Sequence, residues 1–385
     1  MADKTKRRLK NGIVFNGKTY AYVLRVPDTA TGKTKPLWVG GFVDEKSAKL
    51  ARDEARVALG KRDYVPPTNL TVGEYLTKWV ETKKVAPLTL RGYKYLIKHY
   101  LIPHLGNIKL QDLRAYHVKA LYQNMAENRG VQVKKLSDRS IQHTGAVLRM
   151  ALRDAVEVDN LIAVNPAARV KLPRSIAKTP PPYSREELNR LLKAAESHRL
   201  YFFFRLAAYT GARRGELLAL RWTDFDGNAL LINKSRVSDG KSVIEQNRTK
   251  GGLNHQRRVP LDAETIKELY AHKERQELEK LYLGEEVWVD TGYIFVQEDG
   301  EPVHPDTVTR VFSKLRKKAG LRYNRLHDAR HAHATELLRS GEPLHVVAHR
   351  LGHRDAMVTA TIYAHVDTEQ AVSASEAFAS RMREV

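Results

Sequence analysis

The chain has 385 residues, no cysteine and a formal net charge of +22 at neutral pH, with 42% hydrophobic and 29% charged residues. This length exceeds what one compact core usually holds, and the composition is typical of a globular protein and not of a disordered one. The lack of cysteine excludes disulfides, thiolate metal sites and cysteine nucleophiles, and no apolar run approaches the ~20 residues of a membrane-spanning helix. Such an excess of positive charge favours a polyanionic partner, and nucleic acid in particular.

The basic residues are concentrated in the first half of the chain. Residues 1–64 carry 15 Lys and Arg against 7 Asp and Glu, and residues 65–174 carry 18 against 8. A membrane surface is a weaker candidate partner, because no basic amphipathic anchor or lipidation motif is visible. The N-terminal MADKTKRRLKNG has no apolar stretch behind its basic residues, so it predicts no secretory signal, and we expect a cytoplasmic protein.

Residues 12–43 alternate between apolar and polar positions, with breaks at NGK and DTATGK, which predicts three short antiparallel strands. The following DEKSAKLARDEARVALG places three alanines and a leucine on one side, as an amphipathic helix does. Pro66 and Pro67 then indicate a linker. We therefore predict a first domain over residues 1–64, made of a three-stranded sheet plus a helix.

Helical patterns fill the next part of the chain. Thr71 and Glu74 form a capping box before YLTKWV. Thr89 precedes a second run, LRGYKYLIKHYLIPHLG, which has apolar residues at helical spacing, and Asp138 starts a third. A second linker is indicated by NPAARVKLPR and a PPP run, so we expect a helical domain over residues 70–172.

The third predicted domain covers residues 183–385. Ser184 and Glu187 form another capping box, and RLYFFFRLAAYTGARRGELLALRW indicates a helix, a glycine turn and a second helix. ALLINKSRV, KSVIEQNRT and HQRRVPL predict three strands of one small sheet, and helical patterns return from Ala263 to the end. The predicted fold class is therefore multidomain and mainly α with small β-sheets.

Two short motifs are candidates for phosphate chemistry. In TGARRGE, Arg213 lies at a glycine-broken turn with Glu216 three residues on, so the two side chains share a helix face. A guanidinium fork there suits phosphate oxygens; the alternatives are an ordinary surface pair, or Arg214 as the functional arginine. In NRTKGGLNHQRR, Lys250 lies at a predicted hairpin tip, where it either donates a proton into a neighbouring cleft or is simply solvated.

A third motif, LHDARHAHATELL, contains several histidines. His327 and Arg330 are three residues apart and project from one helix face, and His331 follows directly. A metal site needs three or four converging ligands, whereas HxxxH supplies two, and no HExxH or carboxylate-rich cluster accompanies it. We therefore expect no metal and no cofactor, and we expect His331 to be a packed, hydrogen-bonded residue that supports the site.

Two further candidates lie near the C-terminus. His353 follows in LGHRD, after a glycine that breaks a helix, and Tyr363 follows ten residues later in TATIYAHV. A tyrosine hydroxyl is a poor nucleophile at its usual pKa of about 10, and most of the 17 tyrosines are expected in the core or on the surface. Surrounded by arginines and a histidine that hold a phosphodiester, a tyrosine becomes a credible nucleophile.

The ordered set of these motifs resembles the tyrosine recombinase family, most closely the phage-type integrases. TGARRGELLALRW is similar to the family's first box, and LHDARHAHATELL, LGHRD and TATIYAHV are similar to its second box and nucleophile. The resemblance covers residues 183–366 with specific motifs, residues 70–172 as a helical core-DNA-binding domain and residues 1–64 as an arm-DNA-binding domain. The catalytic residues that it implies are Arg213, Lys250, His327, Arg330, His353 and Tyr363, supported by Glu216 and His331.

This resemblance implies site-specific DNA recombination through a 3′-phosphotyrosyl intermediate, without metal or ATP, that integrates and excises a phage or mobile element. The implied partners are double-stranded DNA with core and arm attachment sites, a homotetramer on DNA, a host DNA-bending protein and an excisionase, in the cytoplasm of a bacterial host. Two alternatives are a type IB topoisomerase-like or resolving enzyme with the same chemistry, and a non-catalytic DNA-binding regulator. The intact order of the set disfavours the regulator.

Overall fold

The computed structural model describes residues 7–9, 12–27, 34–60, 64–127, 135–173, 181–238, 240, 242–246, 256–353, 379–380 and 382–383. The chain divides into two compact units, Met1–Ala177 and Lys178–Val385. None of the helices in these described stretches combines the length and the apolarity that a bilayer crossing requires.

The first unit begins with an antiparallel sheet whose strands lie side by side in chain order. They are β1 (Arg7–Leu9), β2 (Ile13–Phe15), β3 (Tyr20–Pro27) and β4 (Thr34–Phe42). The three strands predicted over residues 12–43 are confirmed as β2, β3 and β4. The additional strand β1 joins through pairs such as Arg8 with Val14, and its basic RRL sequence carries no apolar alternation that would predict it.

Helix α1 (Glu45–Gly60) packs against this sheet. Its Ala48 and Ala55 are buried with Ile13 and Tyr22 in one apolar cluster. The buried face is thus the alanine side that the sequence predicts.

The rest of the described part of the first unit is helical. Its elements are α2 (Val72–Glu81), α3 (Pro87–Leu96), a π-helical turn (Ile97–Leu101), α4 (Ile102–Leu105), α5 (Ala115–Glu127) and α6 (Asp138–Glu157). Their apolar residues form a second cluster around the fully buried Leu76, Leu101 and Leu148. Each of the two parts of this unit therefore has an apolar cluster of its own, while their separation into two domains stays a prediction.

The starts of these helices agree with the sequence in two of three cases. Thr71 Oγ1 accepts from the backbone N–H of Glu74 at 3.2 Å, and the Glu74 carboxylate accepts from the N–H of Thr71 at 2.8 Å, which confirms the capping box. Helix α6 begins at Asp138 as predicted. The expected start at Thr89 is wrong, because α3 already begins at Pro87, whose fixed φ suits a first helical turn.

The described part of the second unit is a helical body with two small sheets. Its helices are α7 (Arg185–Ala195), α8 (Tyr201–Thr210), α9 (Arg214–Leu217), α10 (Ala263–Leu283), α11 (Pro305–Lys318), α12 (His327–Arg339) and α13 (Leu344–Leu351). The predicted capping box of Ser184 and Glu187 starts α7. The core is built around the buried rings of Phe203, Phe295 and Phe312.

The described strands of this unit form two antiparallel pairs and not the single three-stranded sheet that the sequence predicts. β5 (Ala229–Ile232) pairs with β8 (Arg257–Pro260), and β6 (Ser235–Ser238) pairs with β7 (Val243–Gln246). The run ALLINKSRV is interrupted at residues 233–234, so its two halves serve different sheets. The pairing of β5 with β8 joins strands far apart in the chain, which a local apolar pattern does not reveal.

Candidate active site

The turn after α8 requires a glycine for two reasons. Gly211 has a φ of +63°, a left-handed conformation that residues with a Cβ rarely adopt. A Cβ there would also lie 2.6 Å from Leu351 Cδ2 and 2.8 Å from His333 Cδ2. The end of α8 therefore lies close against α12 and α13, and the chain runs from this turn directly to Arg213.

Arg213 immediately precedes α9, and its side chain is held by Glu216. Nη1 of Arg213 donates to Glu216 Oε1 at 2.7 Å, and its backbone N–H donates to Oε2 at 2.9 Å. Nη2 donates to the carbonyl oxygen of Gly352 at 3.3 Å. The Arg213 side chain is 26% exposed, so the guanidinium is fixed and still accessible to an anion from solvent.

Glu216 is also bound by Arg257 on β8, a residue that the sequence analysis missed. Arg257 Nη2 donates to Glu216 Oε2 at 2.6 Å and Nη1 to Oε1 at 3.3 Å, and the two side chains are only 3% and 1% exposed. The sequence signal that could have found Arg257 is the strand pattern RRVP, in which alternate residues face the same way. Arg257 and Val259 are buried, while Arg258 is exposed. Such alternation shows that Arg257 faces inward, but it does not identify the partner.

Glu216 keeps its negative charge in this buried position. Burial raises the pKa of its carboxyl, but the hydrogen bonds and charges of Arg257 and Arg213 outweigh burial and bring the pKa to about 2. The carboxylate is therefore ionised at neutral pH and is a fixed acceptor for both arginines.

Arg330 is the second candidate arginine that the sequence singles out, and it lies on α12. It is 3% exposed, and its Nη1 donates to the carbonyl oxygen of Gly211 at 2.8 Å. This hydrogen bond joins α12 to the turn that leads to Arg213.

One turn of α12 carries His327, Arg330 and His331. The rings of His327 and His331 meet edge to face, with their centroids 5.0 Å apart. Desolvation by the surrounding protein, followed by the charges of His331, Arg330 and Arg213, lowers the pKa of His327 to about 4. The residue as a whole remains exposed to solvent. Burial also lowers the pKa of His331.

His353 comes directly after α13, where Gly352 ends the helix with a φ of +68°. Burial lowers the pKa of His353 to about 4. Nearby charged and titratable groups contribute to the same lowering, and they are Arg330, Arg213, His331 and His327. Since the carbonyl oxygen of Gly352, the preceding residue, accepts from Arg213 Nη2 at 3.3 Å, His353 lies beside the same cluster.

Two residues beside the cluster have other partners. Arg214 Nη1 donates to Thr309 Oγ1 at 2.6 Å and to the carbonyl oxygen of Pro305 at 3.1 Å, both on α11. His333 Nε2 accepts from Arg350 Nε at 3.3 Å. The arginine that borders the histidine cluster is therefore Arg213 and not its neighbour Arg214.

The described structure brings together six of the eight residues that the sequence singles out, namely Arg213, Glu216, His327, Arg330, His331 and His353. Lys250 and Tyr363 lie outside the described residues. Lys250 falls between β7 and β8, and Tyr363 falls after His353.

The cluster has the composition of an oxyanion site. Guanidinium groups bind phosphate oxygens through paired N–H donors. Imidazoles with a pKa of about 4, as in His327 and His353, are neutral at pH 7, and each offers one donor and one acceptor. Within the described ranges, no group of three or more His, Asp and Glu side chains is arranged to hold a metal ion.

Comparison with known sequences identifies two matching family models. The model of the phage integrase family matches residues 183–370, and the model of the phage integrase N-terminal SAM-like domain matches residues 71–126. The tyrosine recombinase XerC-like protein of Caldanaerobacter subterraneus subsp. tengcongensis is 28% identical over 393 residues, which cover 95% of this chain and 97% of that protein. The ICEBs1 integrase of Bacillus subtilis is 28% identical, with 84% of this chain and 85% of the relative covered.

Solved structures with a similar fold include two DNA complexes. The Tn1549 transposon integrase in complex with a circular intermediate DNA matches with a TM-score of 0.67 and 18% identity, covering 80% of this chain and 99% of that chain. A lambda integrase tetramer bound to a Holliday junction matches with a TM-score of 0.59 and 21% identity, covering 93% and 96%. At these identities the likeness concerns the fold.

Proposed function

The chain belongs to the tyrosine recombinase family and is a site-specific DNA recombinase of the phage-integrase type, and from this we propose which residues carry out each step of cutting and rejoining DNA. The hydroxyl of Tyr363 attacks the scissile phosphorus, the bond to the 5′ oxygen breaks, and a 3′-phosphotyrosyl ester forms. Lys250 donates a proton to the leaving 5′ oxygen. In rejoining, a 5′ hydroxyl attacks the ester and releases the tyrosine, so the bond energy is kept and no ATP is needed.

The convergence of Arg213 and Arg330 on one place is the observation that carries this proposal. An in-line attack develops negative charge on the non-bridging phosphate oxygens, and two guanidinium groups stabilise that charge. Both are fixed before the reaction, Arg213 by Glu216 at 2.7 Å and Arg330 by the Gly211 carbonyl at 2.8 Å. Little reorganisation is therefore needed when the charge develops.

His327 and His353 assist proton movement at the phosphate. Both are neutral at pH 7 in the unliganded protein, because the pKa of each is about 4. The negative charge of a bound phosphodiester favours their protonated forms and raises both pKa values. One of the two can then take the proton that Tyr363 loses, while His331 supports the ring of His327 from 5.0 Å away.

We assign residues 183–385 to catalysis, residues 70–172 to core DNA and residues 1–64 to arm DNA. The separate apolar clusters of the first unit and its concentration of basic residues support this division. In a DNA footprinting assay, deletion of residues 1–64 should remove the protection of one class of DNA site and leave the protection of the other. The affinity for both classes of site should fall steeply as the salt concentration rises. Identical footprints from the full chain and the truncated chain would contradict a separate arm-binding domain.

The proposed partners follow from the same reaction. They are double-stranded DNA with core and arm attachment sites, three further copies of the chain in a tetramer on DNA, a host DNA-bending protein and an excisionase. The lambda relative is a tetramer on a Holliday junction, which supports the proposed tetramer. The reaction would integrate and excise a phage or mobile element in the cytoplasm of a bacterial host.

A trapping experiment tests the proposed function. Full-length protein is incubated with a pool of nicked suicide duplexes that have a randomised centre. The label is on the part of the cleaved strand that keeps the scissile phosphate at its 3′ end. We expect a protein–DNA adduct that survives SDS and is destroyed by protease. Absence of an adduct from the whole pool would contradict the proposal, and relaxation of supercoiled plasmid without paired sites would favour the topoisomerase-like alternative.

A further inference from the structure

A closed ring of contacts surrounds the base of the candidate site. Arg257 and Arg213 both donate to the carboxylate of Glu216, at 2.6 and 2.7 Å. Arg257 Nε also donates to the carbonyl oxygen of Arg350 at 2.9 Å, and Arg213 Nη2 donates to the carbonyl oxygen of Gly352 at 3.3 Å. The two carbonyl groups are two residues apart, so β8, the turn before α9 and the end of α13 are joined in one ring.

We propose that Arg257 is a positioning residue for strand cleavage, which holds the guanidinium of Arg213 and the backbone that leads to His353 in fixed relation. This inference rests on the function proposed above. Arg257 is only 4% exposed, so it acts through Glu216 and the Arg350 carbonyl and not by touching DNA.

The geometry requires an arginine at this position. A guanidinium carries five N–H donors in a rigid plane, so one side chain can bind a carboxylate with two nitrogens and a carbonyl with the third. The ammonium group of a lysine is a single point on a flexible stem and cannot reproduce both contacts in fixed directions. Gly352 leaves room for the guanidinium, because a Cβ there would lie 2.7 Å from Arg257 Nη1.

The charges explain why the effect would fall on catalysis. Glu216 is almost fully buried and shares its negative charge between two arginines. If the ion pair between Arg257 and Glu216 is weakened, Arg213 must balance more of the Glu216 charge, although it has to hold the scissile phosphate as well. The expected result is a misplaced Arg213 and a slower chemical step, with little change in the affinity for DNA.

The test compares Arg257→Lys with Arg258→Lys in the full chain. Arg258 is the next residue of β8, but it faces solvent and bonds Asp226 at 2.6 Å, so it is a matched control. We expect Arg257→Lys to melt below wild type, because the partly buried Arg350 carbonyl loses its donor, and to stay folded at the assay temperature with wild-type DNA affinity. It should form the covalent adduct ~10²-fold more slowly at saturating suicide substrate, as a displacement of about 1 Å can cause. Arg258→Lys should match wild type in all three measurements.

The outcomes separate this inference from the proposed function. If wild type forms an adduct and Arg257→Lys forms it at the same rate, the positioning role is wrong and the proposed function stands. If wild type forms no adduct, the proposed function itself fails. A loss that appears only as weaker DNA binding, with an unchanged rate at saturation, would also overturn the positioning role.

A double-mutant cycle answers the question if Arg257→Lys melts below the assay temperature. Arg257→Gln, Glu216→Gln and the double variant are then compared at a temperature at which all three are folded. Since Arg257 acts partly through Glu216, the loss of rate in the double variant should be smaller than the product of the losses in the two single variants. Losses that multiply would overturn the inference.

Discussion

Arg330 on α12 donates a hydrogen bond from Nη1 to the carbonyl oxygen of Gly211, 2.8 Å away and 119 residues earlier in the chain. Gly211 starts the turn that leads to Arg213, so this one bond links the two arginines that we assign to the scissile phosphate. Arg330 is 3% exposed, which keeps water from competing for the bond. The distance between the two guanidinium groups is thereby set by the protein before DNA binds.

We expect Arg213→Ala and Arg330→Ala each to slow adduct formation by ~10²–10³, the loss that follows removal of one preorganised donor from an oxyanion site. Arg214→Ala is the matched control for the first variant, because its partners Thr309 and Pro305 lie on α11. The measurement is the single-turnover rate on a suicide duplex. If Arg214→Ala slows adduct formation severely and Arg213→Ala slows it only slightly, the catalytic role belongs to Arg214.

Gly211→Ala should destabilise the protein more than Gly320→Ala does. The two glycines have nearly the same φ, +63° and +64°, but a Cβ at Gly320 meets nothing within 4 Å. Gly320→Ala should therefore cost about 1–2 kcal/mol for the left-handed backbone. Gly211→Ala should cost about 1–3 kcal/mol more, because its Cβ collides with Leu351 and His333. Urea unfolding midpoints measure the difference, and equal midpoints would show that the turn relaxes freely.

Much of the local structure could be predicted from the sequence because its causes are local. The capping boxes of Thr71 with Glu74 and of Ser184 with Glu187 rest on residues three positions apart. The αL turn at Gly211 likewise follows from a glycine between two helical patterns. These patterns depend only on residues that are close in the chain, so they can be recognised without knowledge of the fold.

The remaining features depend on contacts between distant segments. Arg257 is buried because it meets Glu216, 41 residues earlier, and the carbonyl of Arg350, 93 residues later. In the sequence it is one of two adjacent arginines in a charged stretch. The pairing of β5 with β8 was missed for the same reason, since ALLINKSRV shows strand character but not its partner.

The stability contributed by Glu216 should depend on pH. Its pKa lies at about 2 in the folded protein against a usual value of 4.5, so the ionised form is stabilised by folding. This contribution is complete above about pH 4.5 and is lost as the pH falls toward 2, by on the order of 3 kcal/mol. Glu216→Gln lacks it, so the difference in unfolding free energy between wild type and variant should shrink over that range. A constant difference would show that the carboxyl is not stabilised in its ionised form.

His327 and His353 should titrate near pH 4 in the unliganded protein, where burial and neighbouring positive charges lower both pKa values. Binding of a DNA duplex should raise both, because the phosphate charge favours imidazolium. Histidine ring resonances in NMR, assigned with His327→Asn and His353→Asn, measure the two values. Unchanged pKa values in the DNA complex would place the scissile phosphate away from these rings.

The identity of the residue joined to DNA tests the central claim most directly. Adduct formed by the wild-type protein is digested, and the DNA-linked peptide is sequenced by mass spectrometry, with Tyr363→Phe analysed in parallel. We predict a phosphodiester link at Tyr363 in wild type and, in Tyr363→Phe, no adduct together with DNA binding close to that of wild type. An adduct that persists in Tyr363→Phe, or a link at another residue, would contradict the assignment of the nucleophile.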